Sequence, residues 1–153
     1  MSHTCQMLFN AFKNLDARKW FDRMQPQTVS IATILLYING VFAFLRFLDR
    51  TDIEGYMRIY GGLHALITFG FIICFPLGGF LMANGKRFGW YVSLLAAFSP
   101  FILRTIFKVT IADLMGWQDV IVGGSYVNLM FEIALCALLL HPQSQEFVKR
   151  WLS

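Results

Sequence analysis

The residues with chemistry to offer are few, and they stand where charge is costly. Arg104 lies within FGWYVSLLAAFSPFILRTIFK (88–108), and Glu132 lies within VIVGGSYVNLMFEIALCALLL (120–140). Both stretches are otherwise largely apolar and reach the length of about 20 residues that a bilayer crossing takes. A charge at the centre of such a span costs about 2.5–3.5 kcal/mol on insertion scales, so each of the two asks for a partner. Asn39, Asn128, His64 and Arg46 complete the polar set inside apolar runs. At about 1.5 Å of rise per residue, Glu132 falls within roughly 3 Å of the midplane, with Arg104 about 7 Å, His64 about 10 Å and Arg46 about 12 Å toward the outside. An arginine reaching down and a glutamate reaching up can close that gap if their faces meet.

Three roles compete for this set. Glu132 can pair with Arg104, Asn39 or Asn128 and simply lock a bundle. It can serve as a protonatable carboxylate that couples a proton or cation to transport. The charged groups can also face another membrane subunit. Arg46, His64 and Arg104 further suggest a cationic shelf for a lipid phosphate or another anion, which guanidinium groups suit. Snorkelling is the simpler account of Arg46 and Lys108. Asn39 reads as helix-to-helix glue, with a substrate contact as the sharper option.

The elements that must position these residues follow from composition. The chain has 153 residues, 57% hydrophobic and 14% charged, where globular chains carry about a quarter charged. One soluble core cannot hide that much apolar surface. Four continuous apolar runs resolve the excess, at about 29–48, 62–83, 88–108 and 120–140. Backbone groups in hydrocarbon must be satisfied within their own segment, so the runs are predicted to be helices. A barrel would need alternating segments of about ten residues. The expected fold is an all-α, four-helix transmembrane bundle (27–140). An amphipathic interfacial helix (1–26) precedes it and a short tail (141–153) follows.

Charge placement orients the bundle. Lys13, Arg18, Lys19 and Arg23 precede the first run, Lys86 and Arg87 fill the second connection, and Lys149 and Arg150 lie in the tail. The positive-inside rule then puts both termini in the cytoplasm. A bacterial inner (plasma) membrane is the expected location. The basic residues flank spans and form no separate basic domain, so nucleic acid is not an expected partner.

Small residues should bring helices together. Gly62, Gly70 and Gly78 recur every eight residues, near one face of a straight helix, and Gly89, Ser93 and Ala97 line the third run. The Asn84-Gly85-Lys86-Arg87 link is a tight turn, so the second and third runs form an antiparallel hairpin with these faces in contact. Pro76 and Pro100 should kink their helices. In the Asp49–Tyr60 connection, Asp52 and Glu54 can cap or pair with Arg58.

No motif names a reaction. Cys5, Cys74 and Cys136 share no close spacing, and there is neither a zinc pattern nor a Cys-x-x-Cys pair. His64 is the sole histidine within a run, so one chain does not supply a two-histidine haem site. No metal and no cofactor is expected. Small multidrug exporters share the outline of four short-looped helices, but their key glutamate stands in the first span; tetraspanins need a large cysteine-bearing loop. Neither family is assigned. The leading expectation is a non-enzymatic accessory subunit or lipid-contacting component of a membrane complex, partnered by lipids and by other integral subunits or copies of itself. The alternatives are a small transporter or channel using Glu132, and an enzyme on lipids or quinones with His64, Arg104 and Glu132 in one cavity.

Overall fold

The computed structural model describes residues 15–16, 18, 20–21, 25–50, 52–111, 116–123 and 125–151. Among them there is helix and no strand. The order is α1 (Gln27–Leu48), α2 (Ile53–Tyr60), α3 (Gly62–Ala83), α4 (Arg87–Thr110), α5 (Trp117–Val122), α6 (Tyr126–Leu140) and α7 (Pro142–Trp151). Helices α1, α3 and α4 are each long and apolar enough to cross a membrane; α6 and α7 pass only as one span bent by 47°. An outward girdle of apolar side chains, Leu63, Leu66, Tyr126 and Met130 among the most exposed, is the surface of a chain solvated by lipid.

The first three runs therefore fold as expected, within two residues at each end. The fourth does not. Residues 120–140 are divided by Gly123 in the left-handed region (φ +63°), and the main helix begins only at Tyr126. The Asp49–Tyr60 connection, expected as a loop, contains α2. Gly55 lets α2 lie directly on the end of α1, because a Cβ there would overlap the Asp49 carbonyl. Met57 and Glu54 are buried beneath it.

The interfacial helix expected over 1–26 lies mostly outside the described residues. Leu15, Asp16, Arg18, Trp20 and Phe21 are described, and they belong to no helix. They lie against the end that holds the α3–α4 turn. The Asp16 N–H donates to Asn84 Oδ1 (2.9 Å), and the Tyr37 hydroxyl donates to the Trp20 carbonyl (3.0 Å). Trp20 also packs on the rings of Tyr37 and Phe80. The turn itself closes through left-handed Gly85 (φ +73°), with the Lys86 N–H donating to the Leu81 carbonyl at 3.0 Å. Arg87 donates to the Lys149 carbonyl (3.2 Å), so α7 gathers at this same end.

Helices α3 and α4 make the most extensive packing in the molecule. A Cβ on Gly78 would stand 2.9 Å from the Ser93 backbone nitrogen, and one on Gly89 would stand 2.5 Å from that of Met82. Ala97 is buried between α4 and α6, where Cys136 Sγ approaches its carbonyl at 3.7 Å. Gly62 and Gly70 are a correction to the glycine-stripe expectation. Both are exposed, and nothing lies within 4 Å of a Cβ at either position. Periodicity gives a shared face but not a neighbour to cover it. Gly78→Leu should therefore destabilise the chain by about 1–3 kcal/mol, the range for overpacking. Gly70→Leu should shift unfolding in micelles by less than about 0.5 kcal/mol, as surface changes do.

At Pro100 and Pro142 the backbone ladder is interrupted, and a nearby side chain repairs it. Pro100 has no N–H for the Ala96 carbonyl, and the Ser99 hydroxyl donates there instead (2.7 Å). Pro142 leaves the Leu138 carbonyl free, and the buried Ser144 hydroxyl fills it (2.7 Å). Trp90 Nε1 donates to the Leu139 carbonyl (3.1 Å) and Gln145 Nε2 to that of Leu140 (2.9 Å). Three successive carbonyls at the α6–α7 bend are thus covered by side chains, as a low-dielectric setting requires. Ser144→Ala should cost about 1 kcal/mol, the net worth of one such bond. Adding Pro142→Ala restores a backbone donor and should recover most of that loss. Chemical unfolding of the single and double variants measures the difference.

Candidate functional site: a buried ion pair beside a polar cavity

Arg104 stands one turn beyond Pro100 on α4, and Glu132 stands near the middle of α6. The packing of α4 on α6 brings them together. Arg104 Nη2 meets Glu132 Oε1 at 2.5 Å, and Nη1 meets Oε2 at 2.9 Å. The fork is bidentate, the strongest geometry these groups offer. Both residues are only 5% exposed, so the pair is largely withdrawn from solvent. Arg104 Nη1 also donates to the Ile121 carbonyl on α5 (3.3 Å), and its guanidinium lies 5.7 Å from the Phe101 ring centre.

Gly123 makes room for this arrangement. A Cβ there would overlap the central carbon of the guanidinium, and its φ is left-handed as well. The left-handed φ thus calls for glycine at the break between α5 and α6, and a side chain there would also have to push the guanidinium aside. Lys108 Nζ, 4.0 Å from the Trp117 ring centre, holds the start of α5 against the end of α4.

A second ion pair ties α1 to α2. Arg46 Nε meets Glu54 Oε1 at 3.2 Å, with both side chains largely buried. This corrects the expected pairing of Glu54 with Arg58. Arg58 instead donates to the Leu48 carbonyl (3.0 Å) and lies over the Phe47 ring. Burial, then the nearby Glu54 charge, pushes the Asp52 carboxyl above its ordinary value.

A cavity of about 130 Å³ opens between α1 and α6. Asn39, Arg46, Asn128 and Glu132 supply its polar wall, and Phe75 and Phe131 are among its apolar members. Four of the six polar residues singled out in the sequence meet here, and Arg104 stands directly behind Glu132. His64 does not join them. It lines no part of this cavity and lies beside the Tyr60 ring at 6.2 Å. The expected cationic shelf is accordingly two arginines that each face a glutamate, with the histidine elsewhere.

Asn39 also departs from expectation. Helix-to-helix glue would give its amide a partner, yet Nδ2 is buried and meets no acceptor among the described residues. No group of three His, Cys, Asp or Glu side chains converges among those residues. Sequence reasoning gave Glu54 the wrong partner and missed the role of Gly123. Glu54 carried a signal, since with Met57 it faces one side of a helical turn; Gly123 carried only its residue type. Neither a family model, nor a curated protein, nor a solved structure matches the chain.

Proposed function

We propose that this chain is a non-enzymatic integral membrane protein that works as an accessory, lipid-contacting subunit of a larger membrane complex. The observation that carries the reading is the state of Glu132. Its two carboxylate oxygens are both engaged by Arg104, so the acid at the middle of the bundle serves cohesion. A coupling carboxylate must bind and release its cargo, and a bidentate desolvated partner opposes that exchange.

Helix α6 supports the subunit reading further. It presents Tyr126, Val127, Met130 and Ile133 outward, each more than half exposed. This face offers rigid apolar area to a neighbouring helix or to acyl chains. In this reading four passes cross the membrane, the last of them bent. Both termini stand in the cytoplasm with Arg18, Lys86, Arg87, Lys149 and Arg150, as the positive-inside rule directs.

Native mass spectrometry after gentle extraction from the chain's own membrane tests the proposal. A stoichiometric complex with other integral proteins is expected. A lone chain or a homo-oligomer in every mild detergent would overturn it. The transport reading has its own test, pH-dependent flux in liposomes that Glu132→Gln abolishes; no such flux is expected.

A further inference from the structure

The cavity between α1 and α6 has features that its role in packing does not use. Its charges come in matched pairs. Glu132 is neutralised by Arg104, and Arg46 is bonded to Glu54. The wall is thus polar without net charge, which favours a dipolar guest over an ion. Asn39 lines it while its Nδ2 donor, buried, lacks an acceptor among the described residues. A donor left unmade in a low-dielectric site favours any guest that brings an oxygen to it.

Size and access narrow the guest. The volume of about 130 Å³ approaches that of the engineered apolar cavity of about 150 Å³ that admits benzene, so a ring or a short branched head fits and a whole lipid does not. Ile38 and Phe42 on α1, with Val127 and Phe131 on α6, line the cavity and are also exposed on the outer surface. The mouth therefore faces sideways, toward acyl chains. A guest reaching it carries an apolar tail that stays in the bilayer.

We infer that this cavity is a binding site for the neutral, carbonyl-bearing head of a membrane-dissolved amphiphile, whose oxygen accepts a hydrogen bond from the Asn39 amide as that amide turns its buried Nδ2 toward the guest. The ester carbonyl of a glycerolipid and the ring carbonyl of a quinone present the same chemistry. The site goes beyond the subunit reading and stands whether the chain works alone or in a complex.

The test uses the full chain in detergent micelles, with its thermal midpoint as the binding readout. Two carbonyl probes, decylbenzoquinone and dioctanoylglycerol, are titrated beside carbonyl-free twins, decylbenzene and ether-linked dioctylglycerol. At least one carbonyl probe should bind about tenfold tighter than its twin, the factor that one hydrogen bond supplies. Which probe it is names the source. Asn39→Leu, which keeps the bulk and removes the donor, should reduce the preference to less than about twofold. Val127→Trp at the mouth should weaken both carbonyl probes while Asn39 stays intact, so a folding defect in the first variant does not decide the matter. Equal binding of each probe and its twin, or a preference that survives Asn39→Leu, would sink the inference.

Discussion

Glu132→Leu is expected to destabilise the chain by about 3–5 kcal/mol, the range for removing one member of a buried ion pair. The loss has a definite origin. Arg104 keeps its charge and five donors, and its remaining contacts are the Ile121 carbonyl and the Phe101 ring. It has no route to neutrality. Arg104→Met should cost less, because a stranded carboxylate can take up a proton and a stranded guanidinium cannot lose one. The double variant Arg104→Met/Glu132→Leu should lie within about 1 kcal/mol of wild type or above it, since well-packed apolar residues often replace a buried pair without loss. Reversible unfolding in mixed micelles, followed by helical signal, gives all four corners of the cycle. Additive single losses would show that the pair contributes no coupling and that its geometry is incidental.

Gly123→Ala is expected to cost about 3 kcal/mol, from two separable sources. The left-handed φ of +63° contributes about 1–2 kcal/mol for a residue with a Cβ. The rest comes from the methyl group meeting the guanidinium, which must leave its bidentate position on Glu132. The sources separate in a second background. In Arg104→Met the steric part vanishes, and the same substitution should cost only the backbone share of about 1–2 kcal/mol. An unchanged cost there would mean that Gly123 matters for its backbone alone. Together the two cycles describe a four-part joint: an α4 cation, an α6 anion, an α5 carbonyl and a glycine that lets all three meet.

The long helices were legible because hydrocarbon leaves the backbone one solution. Continuous apolar runs at 29–48, 62–83 and 88–108 could only be helices. That Arg104 and Glu132 each need a partner was legible for a related reason, since a lone charge there is costly; that they choose each other, with Asn39 and Asn128 also on offer, was not. What stayed hidden depended on neighbours rather than on solvent. Gly62 and Gly70 share a period with Gly78, but only Gly78 has Ser93 opposite it. Glu54 sat in a polar connection where Arg58 was the nearer cation in sequence, yet α2 folds back and delivers it to Arg46. The break at Gly123 opens a Gly-Gly-Ser run (123–125), but the apolar residues beyond that run on both sides masked it. Ser144, Trp90 and Gln145 carry no sequence signal as carbonyl partners, because their targets become exposed only once the chain bends. The cavity was least legible of all, being a property of how α1 and α6 fail to close.

The short span of α6 reaches beyond the protein. At about 1.5 Å per residue, α1 and α3 stand near 33 Å and α4 near 36 Å, while the 15 residues of α6 reach only about 22 Å. The hydrocarbon layer around them is about 30 Å thick. Lipid on the α1, α3 and α4 flanks meets a wall of full height. Lipid on the α6 flank meets a bent wall instead, because α6 completes a pass only together with α7, turned by 47°. The chain therefore offers lipid a full-height wall on three flanks and a bent one on the fourth, and acyl chains are expected to pack less regularly on that side, where the cavity opens.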